Sequence, residues 1–179
     1  MVLLAAAALA GAPAAPGSAD TAALCTAASV SASFGGQGST QSLLGAVTIT
    51  NHGRAACRLS GRPAIAMRGG SPHELLRERA MNTPVMWPGQ RFDTTIVLAP
   101  GRSASVRFQW FNWCNPQAKA PPTTTAAEGR RPLQVLVTLA PGSPALTASV
   151  PQLRTIYLPI CGAPSAPSQI NVSLWMAGR

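Results

Sequence analysis

The sequence has few of the side chains that enzymes use as acids, bases or nucleophiles. It contains two His, His52 and His73, and only five acidic residues. The acidic residues are Asp20, Glu74, Glu78, Asp93 and Glu128. A catalytic nucleophile needs a base beside it, and the chain has no G-x-S-x-G stretch. We therefore expect a non-catalytic protein, and a hydrolase only if a cleft brings one of the two His near a carboxylate.

No long hydrophobic run is present either. The apolar run Val2 to Ala10 has about nine residues, whereas a transmembrane helix needs about 20, so we expect no transmembrane segment. Residues 1–17 contain no charged side chain, and small residues and Pro follow the run. This pattern predicts a signal peptide at 1–17 and a secreted, extracytoplasmic location. No Lys or Arg precedes the run, so the signal either is weak or starts upstream of Met1.

Because acidic residues are scarce, the formal net charge is +9. Thirteen of the fourteen basic residues are Arg, and they are dispersed along the chain. A nucleic-acid-binding protein would concentrate them on one stripe with interleaved aromatic residues, so we expect no nucleic-acid partner. Two interpretations stay open: a solvated basic surface, or salt-sensitive attraction to anionic cell-wall polymer or lipid headgroups.

Cysteine is also sparse, and all four Cys lie beyond the predicted signal, at Cys25, Cys57, Cys114 and Cys161. An even number in an exported chain implies two disulfides, for which three connectivities exist. The Cys are 32, 57 and 47 residues apart, without the close pairs typical of metal sites. We favour Cys25–Cys57 and Cys114–Cys161, the neighbours in sequence.

Short alternating runs of apolar and polar residues, broken by Gly, Pro and Asn, are typical of an all-β sandwich or barrel. The clearest run is residues 103–110, which predicts Ala104, Val106, Phe108 and Trp110 on the core face. The residues between them, from Ser103 to Gln109, belong to the opposite face.

Other segments follow the same rule. The predicted core faces are Val30, Ala32 and Phe34; Val47 and Ile49; Leu133, Val135, Val137 and Leu139; and Ile170, Val172, Leu174 and Met176. The Thr residues around Ile49 are expected on the outer face. Residues 35–39 are expected to end the first strand, 51–53 to form a turn through residues that tolerate positive φ, and 119–131 to be a loop.

One segment interrupts the β pattern. Ser71, Pro72 and Glu74 match a helix N-cap, a first helical position and the third residue of a capping box. They predict a short surface helix near 71–81, inserted between strands.

Aromatic residues are few, nine in all, and four of them lie in the stretch FQWFNWCNP at 108–116. Phe108 and Trp110 belong to a predicted core face. Phe111 and Trp113 are left over and are the candidate binding residues, because an exposed aromatic ring could stack on a sugar or a peptide. The alternative is structural, with Trp113 covering the disulfide of Cys114.

Copper is the metal for which the chain has candidate ligands, Met67, Met81, Met86, His52 and His73. No H-x-M or M-x-x-M spacing connects them. We therefore expect core or surface roles for these residues, and no cofactor.

Five segments, in this order, resemble domain of unknown function 4232. They are CTAASV at 25–30, TNHG at 50–53 leading into CRLSGRP at 57–63, LAPG at 98–101 leading to FQWFNWC at 108–114, PICG at 159–162, and SQINVSL at 168–174. The resemblance covers about residues 25–175, and the ordered series of segments around the Cys is its most specific part.

The resemblance implies an exported or lipid-anchored protein, mostly of high-GC Gram-positive bacteria, with an immunoglobulin-like sandwich and no assigned activity. The chain departs from many members because Leu24, a large residue, precedes Cys25, where a lipid-attachment Cys follows a small one. The helix expected near 71–81 is a second departure. We therefore expect, at 25–176, an immunoglobulin-like β-sandwich of about eight or nine strands with one short inserted helix and two disulfides.

The expected function is that of a non-catalytic cell-envelope protein that binds wall polymer or another envelope protein. The alternative is a carrier of a small ligand, either carbohydrate or copper. The sequence predicts no oligomeric state.

Overall fold

The computed structural model describes residues 21–38, 42–68, 80–84, 88–89, 91–111, 123–125, 134–148, 155–157 and 168–178. Within these residues the protein contains twelve strands and no helix. The strands are β1 (Val30–Gly38), β2 (Ser42–Asn51), β3 (Cys57–Ser60), β4 (Ala64–Arg68), β5 (Ala80–Pro84), β6 (Thr95–Leu98), β7 (Ser103–Phe111), β8 (Thr123–Thr125), β9 (Gln134–Thr138), β10 (Leu146–Ala148), β11 (Thr155–Tyr157) and β12 (Ser168–Ala177). The predicted all-β class is confirmed, with more strands than the eight or nine expected.

The largest sheet has five strands in the order β1-β2-β7-β12-β5. Neighbours from β1 to β12 pair antiparallel, whereas β12 and β5 pair parallel. A three-stranded sheet, β10-β9-β4, and two ribbons, β11-β8 and β3-β6, complete the fold. The parallel pair differs from the antiparallel sheets of immunoglobulin domains, so the immunoglobulin-like topology stays a prediction.

One hydrophobic core is shared by the five-stranded sheet, the three-stranded sheet and the β3–β6 ribbon. The predicted core face of β7 is confirmed, since its four residues are at most 1% exposed. The predicted core residues of β1 and β2 are also buried, as are Val135, Val137 and Leu139 in and just after β9. Burial of one face turns the alternate residues of β1, β2 and β7 outward.

Strand β12 follows the predicted alternation only in its first half. Leu174 and Met176, predicted for the core, are half-buried, whereas Ser173 and Trp175 are fully buried. The prediction for Leu174 and Met176 is therefore wrong.

The cause is a β-bulge in β12. Val172 pairs with Phe108, but the next pair joins Trp175 to Val106, so β12 uses one more residue than β7 between these pairs. An extra residue exchanges the two faces of the strand beyond it.

The helix expected near 71–81 is contradicted where the structure describes it. Ala80 and Met81 begin β5, which pairs with β12. Residues 71–79 lie outside the described residues. Strand β12, almost ninety positions away, provides hydrogen-bond partners along one side of β5, and a local capping signal carries no information about such a partner.

Two further segments form strands that the sequence did not predict. Residues 35–38, expected to end β1, continue it by pairing with residues 43–46 of β2. Residues 123–125, within the expected loop 119–131, form β8 by pairing with β11. Neither segment carries an apolar alternation, because residues 35–38 are Gly and Gln and residues 123–125 are Thr. No hydrophobic pattern therefore marked them.

The expected turn at 51–53 is present, but a side chain holds it. The Oδ1 atom of Asn51 accepts a hydrogen bond from the Gly53 N–H, at 2.8 Å. Its Nδ2 group donates to the carbonyls of Ala55 and Leu98, each at 2.9 Å. Gly53 does not adopt positive φ, in contrast to Gly101 in the predicted connection before β7, whose φ is 74°.

The Cys25–Cys57 disulfide is confirmed. It joins the segment before β1 to the first residue of β3, with the two Cα atoms 4.9 Å apart. Cys114, Cys161 and the predicted signal peptide at 1–17 lie outside the described residues, so the second disulfide and the signal stay predictions.

Candidate functional site

The outward face of the five-stranded sheet carries a regular array of hydroxyl groups. Cross-strand pairing of β1, β2 and β7 arranges them in two rows. The first row is Ser31, Thr50 and Ser103, and the second is Ser33, Thr48 and Ser105. We call these six residues the hydroxyl grid. Because paired strands lie about 4.8 Å apart, the hydroxyls of one row have a nearly constant spacing. Each hydroxyl both donates and accepts hydrogen bonds, so the grid is a flat surface suited to polar ligands.

Two hydrogen bonds order the first row of the grid. Thr50 Oγ1 and Ser103 Oγ are 2.9 Å apart, and Ser31 Oγ lies 2.6 Å from His52 Nε2. A Ser and a candidate base are thus in contact. Both are exposed at the end of the sheet, and the described residues give His52 no carboxylate partner to orient it, which nucleophile–base arrangements require. We therefore describe His52 as a neighbour of the grid that contacts Ser31.

A trough of about 510 Å³ crosses the same face beside the grid. Residues 35–37 of β1, 44–46 of β2 and 107–108 of β7 line it. Its floor is the row of residues that crosses β1, β2 and β7 at Gly35, Ala46 and Arg107. Gly35 pairs with Ala46, and Ala46 pairs with Arg107. Gly35 and Ala46 present at most a methyl group, whereas the rows on either side carry larger side chains. The row is therefore a depression that ends at Arg107.

Glycines allow the sheet to lie close to two aromatic rings beneath the trough. Phe34 and Phe108 stack on the core side with their centroids 5.7 Å apart. A Cβ atom on Gly45 would lie 2.5 Å from the Phe34 ring and 2.7 Å from the Phe108 ring. Gly35 differs, because nothing lies within 4 Å of its Cβ position. A side chain at Gly35 would occupy the trough, whereas one at Gly45 would collide with the core.

The side of the trough away from the grid is bordered by amides and one apolar side chain. Gln37 pairs with Leu44, Leu44 with Gln109, and Gln109 with Asn171. Leu44 is 46% exposed, which is unusual for a large hydrophobic residue in the described part of this chain. The trough therefore lies between a row of hydroxyls and a row of amides.

The β12 bulge holds the backbone of Arg107. Ser173 Oγ accepts a hydrogen bond from the Arg107 N–H at 2.9 Å and donates one to the Leu174 carbonyl at 2.7 Å. A side chain thus takes the place of a strand carbonyl beside Arg107. Bulges are known to re-aim side chains in this way, and the Arg107 side chain is exposed on the outward face.

Positive charge predominates in the described residues. Their only acidic residue is Asp93, which bridges to β12 on the side away from the trough. Arg54, Arg91, Arg102 and Arg107 are all exposed. Arg54 and Arg102 lie in loops at the grid end of the sheet. Among the described residues, those that line the trough include one cation and no carboxylate.

Of the two candidate aromatic residues, the structure describes Phe111. It ends β7 on the outward face, half-buried between its pairing partners Ser42 and Gln169. Phe111 therefore shares a face with the trough, one row beyond the amides. Trp113 lies outside the described residues, so its role stays a prediction.

Three of the five candidate copper ligands, Met67, Met81 and His52, lie in the described residues. Met67 is fully buried in the core and pairs with Val135, and His52 contacts Ser31. No group of three or more His, Cys, Asp or Glu is arranged to hold a metal ion in this part of the chain. His73 and Met86 lie outside it.

A family model for a domain of unknown function, DUF4232, matches residues 25–128, more than half of the chain. The chain belongs to this family. The DUF4232 match begins at Cys25 and includes all of β1, β2 and β7, and hence every residue of the grid and the trough. No curated protein and no solved structure matches the chain. In the described residues, no helix has the length and apolar character needed to span a membrane.

Sequence reasoning placed the polar residues of β2 and β7 on the outer face but did not find the site. Three short motifs could have indicated it, since Ser or Thr occupies alternate positions at 31–33, 48–50 and 103–105. Each motif alone is common in strands. Their significance comes from the register that brings them side by side.

Proposed function

We propose that this DUF4232 protein is a non-catalytic, exported protein of the bacterial cell envelope, which binds wall polymer through the outward face of its five-stranded sheet. The observation that carries the proposal is the hydroxyl grid beside a trough that ends at Arg107. An open polar face of this kind suits an extended polymer with many hydroxyl groups, because every position offers a donor or an acceptor.

Export is supported by the Cys25–Cys57 disulfide, since disulfides form and persist mainly in oxidising compartments. Affinity for the envelope is supported by the formal charge of +9, because bacterial walls and lipid headgroups carry negative charge. Attraction of this kind weakens as salt screens the charges.

Sedimentation with isolated cell walls tests the proposal. The full chain, purified with its disulfides intact, is expected to sediment with walls at low salt and to stay in solution at high salt. The control is an unrelated soluble protein of similar net charge, which measures non-specific attraction. Sedimentation no greater than that of the control would contradict wall binding and leave another envelope protein as the partner to seek by crosslinking in intact cells.

A carbohydrate carrier is the second candidate function. The trough volume of about 510 Å³ falls within the roughly 300–1,000 Å³ typical of small-ligand sites. Saturable binding of a free mono- or disaccharide, with no binding to walls, would favour this function over the first.

A further inference from the structure

We infer that two loops at the grid end of the sheet bind a phosphate group of an anionic wall polymer, through the side chains of Arg54 and Arg102. The inference rests on the proposed function, because it names the chemical class of polymer and the place where its charge is bound. It makes demands on two individual residues that general attraction between a basic protein and the wall does not make.

Arg102 lies in the tight turn between β6 and β7, at a β-bulge. The Asn51 N–H donates to the Arg102 carbonyl at 3.0 Å, and the Asn51 carbonyl accepts from the Gly101 N–H at 2.8 Å. Two residues of the turn thus face one residue of β2, and Gly101 has a φ of 74°, as the glycine of a G1 bulge does. The Arg102 N–H also donates to the Ala99 carbonyl at 3.0 Å. Backbone hydrogen bonds therefore fix the position of Arg102 relative to β2.

Arg54 lies in the loop after β2, which Asn51 also holds. Asn51 is fully buried, and its Nδ2 group donates to the carbonyl of Ala55, the residue next to Arg54, at 2.9 Å. The Gly53 N–H donates to Asn51 Oδ1 at 2.8 Å and to the Ser29 carbonyl at 3.1 Å. The hydrogen bonds of one buried residue therefore hold both loops, and with them both Arg residues.

The two Arg residues lie close enough to share one ligand group. Hydrogen-bonded neighbours on adjacent strands, such as Asn51 and Arg102, have Cα atoms about 5.5 Å apart. The three residues of chain from Asn51 to Arg54 span at most about 11 Å. The Cα atoms of Arg54 and Arg102 are therefore at most about 16 Å apart. Two arginine side chains extended toward each other, with a phosphate between them, span this distance.

The Cys25–Cys57 disulfide adds a covalent tie at this end of the sheet. Cys57 follows the loop of Arg54, and Cys25 precedes Ser29, whose carbonyl accepts hydrogen bonds from that loop. Loops that are fixed before binding lose little conformational freedom when a ligand binds, which favours affinity.

The charge of the two Arg residues makes the ligand an anion. Both side chains are exposed, and neither guanidinium group has a hydrogen bond or an ion pair with another described residue. Asp93, the only acidic residue described, lies beyond β12. One guanidinium group is enough to pair with both oxygens of a carboxylate, whereas phosphate oxygens accept from several directions. Two Arg residues on separate loops therefore favour phosphate.

The surroundings of Arg54 and Arg102 favour a polymer over a membrane. The other exposed residues of segments 26–29, 53–56 and 99–101 are small. They are Thr26, Ala27, Ala28, Ala55, Ala56, Ala99, Pro100 and Gly101. None has a large apolar side chain of the kind that inserts into a lipid interface. The first row of the grid adjoins these loops, since Ser103 follows Arg102, so a polymer bound here also meets hydroxyl groups.

Three probes test the inference on the full chain with its disulfides intact. Poly(glycerol phosphate) supplies phosphates on a soluble polymer, and polygalacturonate supplies carboxylates on one. Vesicles of phosphatidylglycerol supply the same phosphate chemistry on a membrane. Isothermal titration calorimetry measures binding of each probe at one fixed ionic strength.

Substitutions of two kinds locate the site. Arg54→Gln and Arg102→Gln each remove one charge, whereas Arg54→Lys and Arg102→Lys keep the charge and remove the paired donors of the guanidinium group. Arg91→Gln and Arg91→Lys are the matched controls, at an exposed Arg outside the two loops. Circular dichroism and thermal unfolding check that each variant is folded.

Poly(glycerol phosphate) is expected to bind at least about threefold more tightly than polygalacturonate, and more tightly per phosphate than the vesicles. Arg54→Gln and Arg102→Gln are each expected to weaken binding of poly(glycerol phosphate) by about tenfold, as loss of a charge-assisted contact predicts. The two Lys variants are expected to weaken it by about threefold or more. Both Arg91 variants are expected to change it by less than about twofold.

Equal effects of the loop substitutions and the Arg91 substitutions would overturn the inference, because they would indicate diffuse charge attraction. Full binding by the Lys variants, or no binding of poly(glycerol phosphate), would do the same. Equal binding of polygalacturonate would overturn the assignment to phosphate. Tighter binding to vesicles, weakened by Arg54→Gln and Arg102→Gln, would make a membrane the partner and overturn the assignment to a polymer.

Sedimentation with walls separates this inference from the proposed function. If the unmodified protein sediments with walls and the Arg54 and Arg102 variants sediment equally well, the inference fails while the proposed function stands. If poly(glycerol phosphate) binds through these two residues but walls do not bind, the inference stands and the proposed function fails.

Discussion

The hydroxyl group of Ser173 accepts the backbone hydrogen bond of Arg107, at 2.9 Å, from within the β12 bulge. Ser173 is fully buried, and its hydroxyl also donates to the neighbouring carbonyl of Leu174. One side chain thus satisfies two backbone groups that the bulge removes from the regular ladder. The same bulge brings Trp175 into the core, so Ser173 links the packing of β12 to the residue at the end of the trough.

Replacing Ser173→Ala is expected to lower the free energy of unfolding by about 1–3 kcal/mol, because the Arg107 N–H and the Leu174 carbonyl lose their partner. Equilibrium urea denaturation measures the change. Ser105→Ala is the matched control, since its hydroxyl lies on the outward face, and we expect it to cost less than about 0.5 kcal/mol. Equal costs for the two variants would show that the bulge does not depend on the Ser173 hydroxyl.

Glycines 35 and 45 are expected to respond in opposite directions to the same substitution. Gly45→Ala places a methyl group against the Phe34 and Phe108 rings, and overpacking of this kind costs about 1–3 kcal/mol. Gly35→Ala meets open space and removes freedom from the unfolded chain, which stabilises by up to about 1 kcal/mol. Thermal unfolding of the two variants side by side gives the comparison. A Gly45→Ala protein as stable as Gly35→Ala would contradict the close packing of rings beneath the trough.

Asn51 is expected to be among the polar residues on which stability depends most. Its side chain makes three hydrogen bonds, to Gly53, Ala55 and Leu98. Asn51→Ala leaves the buried Leu98 carbonyl without this donor, and a loss of about 2–4 kcal/mol follows from the typical cost of such groups. Urea denaturation provides the measurement.

The control for Asn51 is Ser143→Ala, in the turn after β9. Ser143 Oγ accepts from the Ala140 N–H at 3.1 Å and donates to the Ala140 carbonyl at 2.7 Å. Water can replace these partners at a surface turn, so a cost of about 0.5–1 kcal/mol is expected. A smaller loss in Asn51→Ala than in Ser143→Ala would be inconsistent with a buried role for Asn51.

Removing the Cys25–Cys57 bridge by the double substitution Cys25→Ser and Cys57→Ser is expected to destabilise the protein by about 3.5–4 kcal/mol. The two Cys are separated by 32 positions, and closing a loop of this length restricts the unfolded chain by that amount in the chain-entropy model. Denaturation under non-reducing conditions measures the effect while any other disulfide stays intact. An unchanged urea midpoint would mean that the bridge contributes nothing to stability.

Local alternation predicted most of the strand faces. In β7, β1 and β2 every residue predicted for the core is buried, because one buried face imposes a period of two on the sequence. The prediction failed where pairing, rather than burial, determines the structure. Gly35 to Gly38 have no apolar side chain to reveal β1, and Ala80 and Met81 follow a segment with a strong helical capping signal.

The Cys25–Cys57 pairing was predicted from neighbours in sequence. The β12 faces were predicted only as far as Val172, because a single inserted residue leaves no mark in composition or hydropathy. The turn at 51–53 was predicted, but the reason given for it was wrong. The Asn51 side chain, rather than a positive φ at Gly53, determines its geometry.

The sequence alone determined the all-β class, the inward and outward residues of the main strands, the excess of positive charge and the family resemblance, since each depends on composition or on neighbours along the chain. Only the tertiary structure decided that three separate Ser/Thr motifs lie side by side and that Gly35, Ala46 and Arg107 form one row. Strand register and strand order bring together residues that are distant in sequence. The free energy that favours one register and one order comes from contacts between such residues, which no local pattern encodes.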